Sequence, residues 1–110
     1  MTKAEKRLQK QWFEQPRSRL SKQDIYRVFI LNKNAVHTFA APYYLRNKGK
    51  LDYDDLYQVG CMGLLRAIHD YQVNHDSRAS FITYAYHWIM EAILMYLKVN
   101  KGLVYVPIKQ

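Results

Sequence analysis

The stretch Phe81-Ile82-Thr83-Tyr84-Ala85-Tyr86-His87-Trp88-Ile89-Met90-Glu91-Ala92-Ile93-Leu94-Met95-Tyr96-Leu97-Lys98 decides the fold. It reads as a helix of about five turns at 3.6 residues per turn. Ser80 is placed to cap its start, and Asn100-Lys101-Gly102 offers the glycine that ends helices. On a helical wheel Phe81, Ile82, Ala85, Ile89, Ala92, Ile93 and Tyr96 share one side, the pattern of a core face. Thr83, Tyr84, His87, Glu91, Leu94 and Lys98 share the other, with Trp88 at the border. A soluble helix ordinarily turns Glu and Lys to water. This one offers rings, a hydroxyl, an imidazole and thioethers. Periodicity leaves two readings open: burial on both sides in a small bundle, or a platform on which nucleobases stack.

The rest of the chain frames that helix. Thr2 to Leu20 carries Lys3, Lys6, Arg7, Lys10, Arg17 and Arg19 against Glu5 and Glu14, with Leu8, Trp12 and Phe13 at weak helical spacing. It reads as a basic N-terminal arm over 1–20, either a solvated tail or a phosphate-touching segment, with a hinge at Gln15-Pro16-Arg17. Ser21 and Asp24 resemble a capping box, opening a helix through Ile25, Val28, Phe29, Val36, Phe39 and Ala40 that Pro42 should kink or end. Leu45 to Asp52 has loop composition. A third helix starts near Asp52 or Asp54 and runs to about Tyr71. Gly60 and Gly63 inside it each cost about 1 kcal/mol relative to Ala, which points to a close neighbour. Residues 72–79 read as a loop, and Leu103-Val104-Tyr105-Val106-Pro107-Ile108 as an extended tail.

The expected fold is therefore all-α: a compact bundle of about four helices over 21–110, with the basic arm before it. The chain of 110 residues supports one modest core. Its net charge of +8 and ten tyrosines point to a polyanion partner, foremost nucleic acid. Cys61 is alone, so no internal disulfide forms, and its apolar setting marks a small core residue. No apolar run approaches a membrane span, and no signal core precedes the first helix; the expectation is a cytoplasmic protein without a membrane. The histidines His37, His69, His75 and His87 have no ligand spacing with Cys61, and no Gly-rich phosphate loop or nucleophile motif is present. Neither a metal, a cofactor nor an enzymatic activity is expected.

Two motifs then carry a resemblance. Asp55-Leu56-Tyr57-Gln58-Val59-Gly60-Cys61-Met62-Gly63-Leu64-Leu65-Arg66-Ala67 resembles the DLIQEGNIGLMKA core of region 2 of bacterial sigma factors of the sigma-70 family, and Phe81 to Ile89 resembles their FSTYATWWI stretch. Val104-Tyr105-Val106-Pro107 is similar to the IRIP that follows, and Asn32 to Tyr43 to the upstream helix. The resemblance covers about residues 23–110. It implies an all-helical domain with two faces. One docks on the clamp helices of the large subunit of core RNA polymerase, and by motif position includes Asp54, Asp55, Gln58, Val59, Cys61, Met62 and Leu65. The other binds and melts the promoter −10 element through its single-stranded non-template strand. Its matching positions are Tyr71, Phe81, Thr83, Tyr84, His87 and Trp88, with Tyr84 stacking on a flipped base and Trp88 with His87 wedged against the last intact pair.

The chain departs from the family where its paired tryptophans are His87-Trp88. Two arginine positions are Met90 and Met95, and the Gln and Thr that read duplex are Glu91 and Leu94. On the polymerase side the family's Glu is Val59 and its Asn is Cys61. Altered duplex reading follows, because Glu91 repels phosphate unless it accepts from a cytosine amine. The end at Gln110 fits either a fragment of a longer factor or a small protein that supplies only the melting module, and the exposed-looking thioether and isobutyl of Met90 and Leu94 motivate a second small subunit that supplies −35 recognition. The competing expectation is a polymerase-binding co-sigma or sequestering protein that does not read DNA. A third is a generic basic duplex binder.

Overall fold

The computed structural model describes residues 2–14, 21–47, 50–71 and 80–99. Four helices are present among them: α1 (Lys3–Glu14), α2 (Lys22–Arg46), α3 (Tyr53–Tyr71) and α4 (Phe81–Val99), with no strand among the described residues. The hinge at residues 15–17, the 72–79 loop, the stop near Gly102 and the extended tail lie outside the described residues.

Each helix start has a chemical reason. Thr2 and Glu5 form a reciprocal box at α1: the Thr2 N–H donates to Glu5 Oε1 at 2.8 Å, and the Glu5 N–H donates to Thr2 Oγ1 at 3.1 Å. The Asp24 N–H donates to Ser21 Oγ at 3.1 Å to open α2. Asp52 Oδ1 accepts from the Asp54 N–H at 2.9 Å at the head of α3. Ser80 opens α4, accepting from the Thr83 N–H at 3.4 Å.

Pro42 does not end its helix; α2 continues to Arg46. The ring removes the bond that the Thr38 carbonyl would accept, but Thr38 and Pro42 are both exposed, so water can serve that oxygen. Ala40 and Tyr43, on either side of the proline, are buried and hold the helix to the core. Asn47 then closes α2: its side-chain amide donates to the Tyr43 carbonyl at 2.8 Å and its backbone N–H to Tyr44 O at 3.1 Å.

Helices α3 and α4 cross closely enough to need a glycine. A Cβ on Gly63 would lie 2.5 Å from the Trp88 carbonyl oxygen and 2.8 Å from Ile89 Cα, so only hydrogen fits there. Gly60 differs: its missing Cβ makes room for a side-chain methyl, Val36 Cγ1, at 2.5 Å. Ile89 and Ile93 also come close to Gly60, and Leu56, Leu64, Ile68, Ile89 and Ile93 are all fully buried.

Helix α4 packs against α2 as well as α3. Its buried arc is therefore wider than one wheel face, and this corrects two expectations. Met90 is 2% exposed and Leu94 9% exposed, so both are core residues. The apolar side chain of Leu94 does not lie on an open surface, and the motive it gave for a second subunit falls with it.

The first helix is no solvated tail. Phe13 is 3% exposed and sits against Phe81 and Tyr71, with ring centroids 4.8 and 4.9 Å away. Asn32, buried in α2, donates through Nδ2 to Gln9 Oε1 and to the Val28 carbonyl.

Candidate nucleic-acid interface

Removing the buried arc from α4 leaves a strip of Thr83, Tyr84, His87, Trp88, Glu91 and Met95. Thr83, His87, Glu91 and Met95 are exposed; Tyr84 and Trp88 are half-buried. The half-buried state follows from a chain of rings that starts inside the bundle. Tyr71 meets Phe81 at 5.3 Å and Tyr84 at 5.2 Å, and Tyr84 meets Trp88 at 6.4 Å. Edge and tilted pairs of this kind contribute about 0.5–1.5 kcal/mol each beyond area burial. They hold Tyr84 against Tyr71 and Trp88 against Tyr84, and both rings keep part of their surface accessible.

Tyr71 and Phe81 are different. At 6% and 4% exposed they cannot lie against a base, contrary to their expected direct contact. Tyr71 is the ring that backs Tyr84, and Phe81 packs behind Tyr71. Burial also pushes the Tyr71 phenol pKa up, so it stays neutral. The Thr83 hydroxyl, although exposed, is engaged with Ser80 Oγ at 3.0 Å at the cap.

Two grooves flank the strip. One, of about 260 Å³, lies toward α2 and is lined by Phe39, Ile82, Thr83, Tyr86 and His87. Phe39 and Tyr86 meet edge-on at 4.9 Å along it. The other, of about 450 Å³, lies toward α3 and is lined by Met62, Arg66, His69, Trp88, Glu91 and Met95 among others. There the Arg66 guanidinium carbon stands 5.0 Å from the Trp88 ring centroid, a cation–π distance. Phe39, Tyr86, Arg66 and His69 are absent from the sequence-based set. Arg66 was legible in principle, since it follows Met62 by one turn on the open side of α3.

The second expected face lies along α3. Asp54, Asp55, Gln58, Met62 and Leu65 are exposed on it, Met62 at 67%, and Val59 is half-buried. Cys61 departs from them: it is buried, at 8% exposed, in the seam toward α2. There it hydrogen-bonds with Tyr57, whose phenol burial pushes up to about 12 with help from that bond. Burial raises the Cys61 thiol as well, more than the Tyr57 bond and the Lys33 charge lower it. It is a packed thiol and offers nothing to a docking partner. Beside it, His37 stacks on Tyr57 at 4.0 Å and its Nδ1 lies 2.6 Å from the Tyr53 hydroxyl. The two faces are thus adjacent, with Met62 and Trp88 on one groove.

No cluster of three or more His, Cys, Asp or Glu side chains that could hold a metal occurs among the described residues. No described helix is long and apolar enough to cross a membrane.

Comparison with known proteins agrees with the helical arrangement. The family described as Sigma-70 region 2 matches residues 29–102. The chain is 34% identical over 77 residues to the RNA polymerase sigma-G factor of Bacillus subtilis (strain 168), an alignment that covers 70% of this chain and 28% of that protein. The chain thus spans under a third of the length of this curated relative. No solved structure matches.

Proposed function

The chain belongs to the sigma-70 family through its region 2, and on that basis we propose that it is a transcription initiation factor that binds core RNA polymerase and holds the −10 element open by its non-template strand. The observation that carries the reading is the Tyr84–Trp88 pair: Tyr71 backs Tyr84, both rings stay partly accessible, and Trp88 lines an open groove in which Arg66 lies against its ring. A flipped base costs a few kcal/mol to extrude. Stacking on a ring already held in place returns about 1–3 kcal/mol per base, with little ordering left to do. In this reading Trp88 and the exposed His87 beside it act against the last intact pair, each from its own flank of the strip.

On α3 the exposed Asp54, Asp55 and Gln58 lead along the helix to the exposed thioether of Met62 and the edge of Leu65. An apolar centre with a charged rim suits a protein partner. That partner is the clamp helices of the large polymerase subunit, and the site of action is the cytoplasm. Neither task calls for a cofactor or for catalysis by this chain. The N-terminal arm keeps its basic character, but its Phe13 end belongs to the ring chain.

The second reading, a polymerase-binding protein that does not read DNA, is favoured by one feature. From Phe81 to Leu97, α4 carries no lysine or arginine, and Glu91 is exposed among the rings. Permanganate reactivity of promoter thymines with reconstituted polymerase separates the two. Melting by the chain predicts reactive thymines in the −10 region that disappear with Trp88→Ala. Protection of every thymine, with polymerase bound, would establish the second reading instead.

A further inference from the structure

Two rings have no task in the role described above: Phe39 of α2 and Tyr86 of α4. They line the groove on the α2 side of the strip, with Ile82, Thr83 and His87. Its chemistry differs from that of the groove on the other side. Among the described residues no Lys, Arg, Asp or Glu lines it, whereas Arg66 and Glu91 both line the other. A groove without a cation does not suit phosphate. Three of its walls are rings: Phe39 meets Tyr86 edge-on at 4.9 Å, and Tyr86 meets His87 edge-on at 5.6 Å. Such walls suit a flat, neutral group. Their polar atoms are unspent, since neither the Tyr86 hydroxyl nor the His87 imidazole has a hydrogen-bond partner among the described residues. A phenol and a neutral imidazole each donate and accept, as the edges of nucleobases do.

Resting on the strand-binding role proposed above, we propose that this groove is a second base site, which takes the template-strand base left unpaired when the first non-template base flips to Tyr84. The position of the groove selects the strand. Tyr84 and Tyr86 are two residues apart, about 200° around a helix of 3.6 residues per turn, so they project to opposite flanks of α4. The last intact pair lies across Trp88 and His87, and these line opposite grooves. Its two strands therefore part on either side of α4. The non-template base goes to Tyr84 beside Trp88, and its former partner goes to Tyr86 beside His87. A further base of the non-template strand would instead have to cross the exposed crest of the helix to enter this groove. Helix α4 is thus a wedge with rings on both flanks. Re-pairing is opposed twice, because each separated base has a ring to stack on.

The test uses a forked promoter fragment bound by the protein with core polymerase. It carries 2-aminopurine, whose fluorescence is quenched by stacking, either at the flipped non-template base or at the template base opposite it. Tyr86→Leu keeps apolar packing on Phe39 but removes the stacking plane. It is expected to brighten the template probe and leave the non-template probe dark. Tyr84→Ala should do the reverse. Tyr86→Phe keeps the ring and should keep the template probe quenched. An abasic template nucleotide should weaken fork binding about fivefold or more with the unaltered protein, and far less with Tyr86→Leu, which already lacks the contact. A template probe unmoved by Tyr86→Leu, or equal brightening by Tyr86→Phe, overturns the site. So does brightening of the non-template probe by Tyr86→Leu, which would put the groove on the other strand. The two proposals fail separately. If Tyr84→Ala leaves the non-template probe dark, the strand-binding role itself is lost. If it brightens that probe while Tyr86→Leu leaves the template probe dark, only the second site is wrong.

Discussion

The open faces of α3 and α4 lie side by side and share a groove, yet they are built in opposite ways. On α3 the exposed side chains are acidic and amide at its start and Met62, Leu65, Arg66 and His69 further on, with Met62 at 67% exposure. On α4 the exposed Thr83, His87, Glu91 and Met95 surround two half-buried rings, Tyr84, which Tyr71 backs, and Trp88, which meets Tyr84. A long, unanchored thioether adapts to a protein surface. A base needs a flat, fixed plane, so the ring must be ordered before the base arrives. The difference lies less in polarity than in how much freedom each side chain has lost on folding.

Both faces depend on the α3–α4 crossing, so the severest way to break the comparison is to open it. Gly63→Val would drive side-chain carbons into the Trp88 carbonyl and the Ile89 backbone, neither of which can move aside. The expected loss exceeds the about 3 kcal/mol common for overpacking, and urea denaturation should show it with both binding activities gone. Phe13→Ala should cost about 3 kcal/mol, because a buried ring is replaced by a cavity under Tyr71 and Phe81. The comparison predicts a selective result at this site: among molecules still folded, strand binding suffers and polymerase binding does not. Equal loss of both would mean that the rings do not need their floor.

Met62→Glu sharpens the contrast from the other side. It should leave the melting temperature within a degree or two while weakening core polymerase binding by about 1–2 kcal/mol, in the range of an interface side chain of moderate importance. Gel filtration with core enzyme checks it, and unchanged association would remove α3 as the docking face. Gly60→Ala is milder than Gly63→Val, because the obstacle is a side-chain methyl of Val36 and alanine favours the helix. A net loss of about 1 kcal/mol is expected, relieved when Val36→Ala is added.

The smallest effect is on pH. Tyr57 has its phenol pushed to about 12 in the folded chain against about 10 when unfolded, and Tyr53, Tyr71 and Tyr96 are raised too. The neutral forms are favoured by folding, so their stabilisation is complete below pH 10 and is lost as pH rises through the folded values. Ultraviolet titration should show late-ionising tyrosines, and stability should fall from pH 10 upward. Tyrosines that all ionise near 10 in the folded protein would contradict their burial.

Most of the fold was legible because the local signals agreed with one another. Ser21, the Asp52–Asp55 start and Ser80 marked helix beginnings, and the two glycines marked close approach. What failed was information that only packing holds. Pro42 looks like a terminator until Ala40 and Tyr43 are seen buried on either side of it. Leu94 looks open on a single wheel because the wheel knows nothing of a second neighbouring helix. Phe13, at the end of a basic arm, gives no local hint that it completes a ring cluster with residues on α3 and α4. The motif positions picked out a strip of α4 on which Tyr84 and Trp88 are half-buried, but sequence could not separate these rings from the buried Tyr71 and Phe81. That distinction is one of burial alone.

The account rests on the accessible sides of Tyr84 and Trp88 receiving unpaired bases. The most direct measurement is fluorescence anisotropy of a labelled non-template strand with the core polymerase complex of the Tyr84→Ala, Trp88→Ala double variant. At about 1–3 kcal/mol per stacked base, affinity should drop at least tenfold while polymerase association holds. Undiminished strand affinity in a folded, polymerase-bound double variant would contradict it.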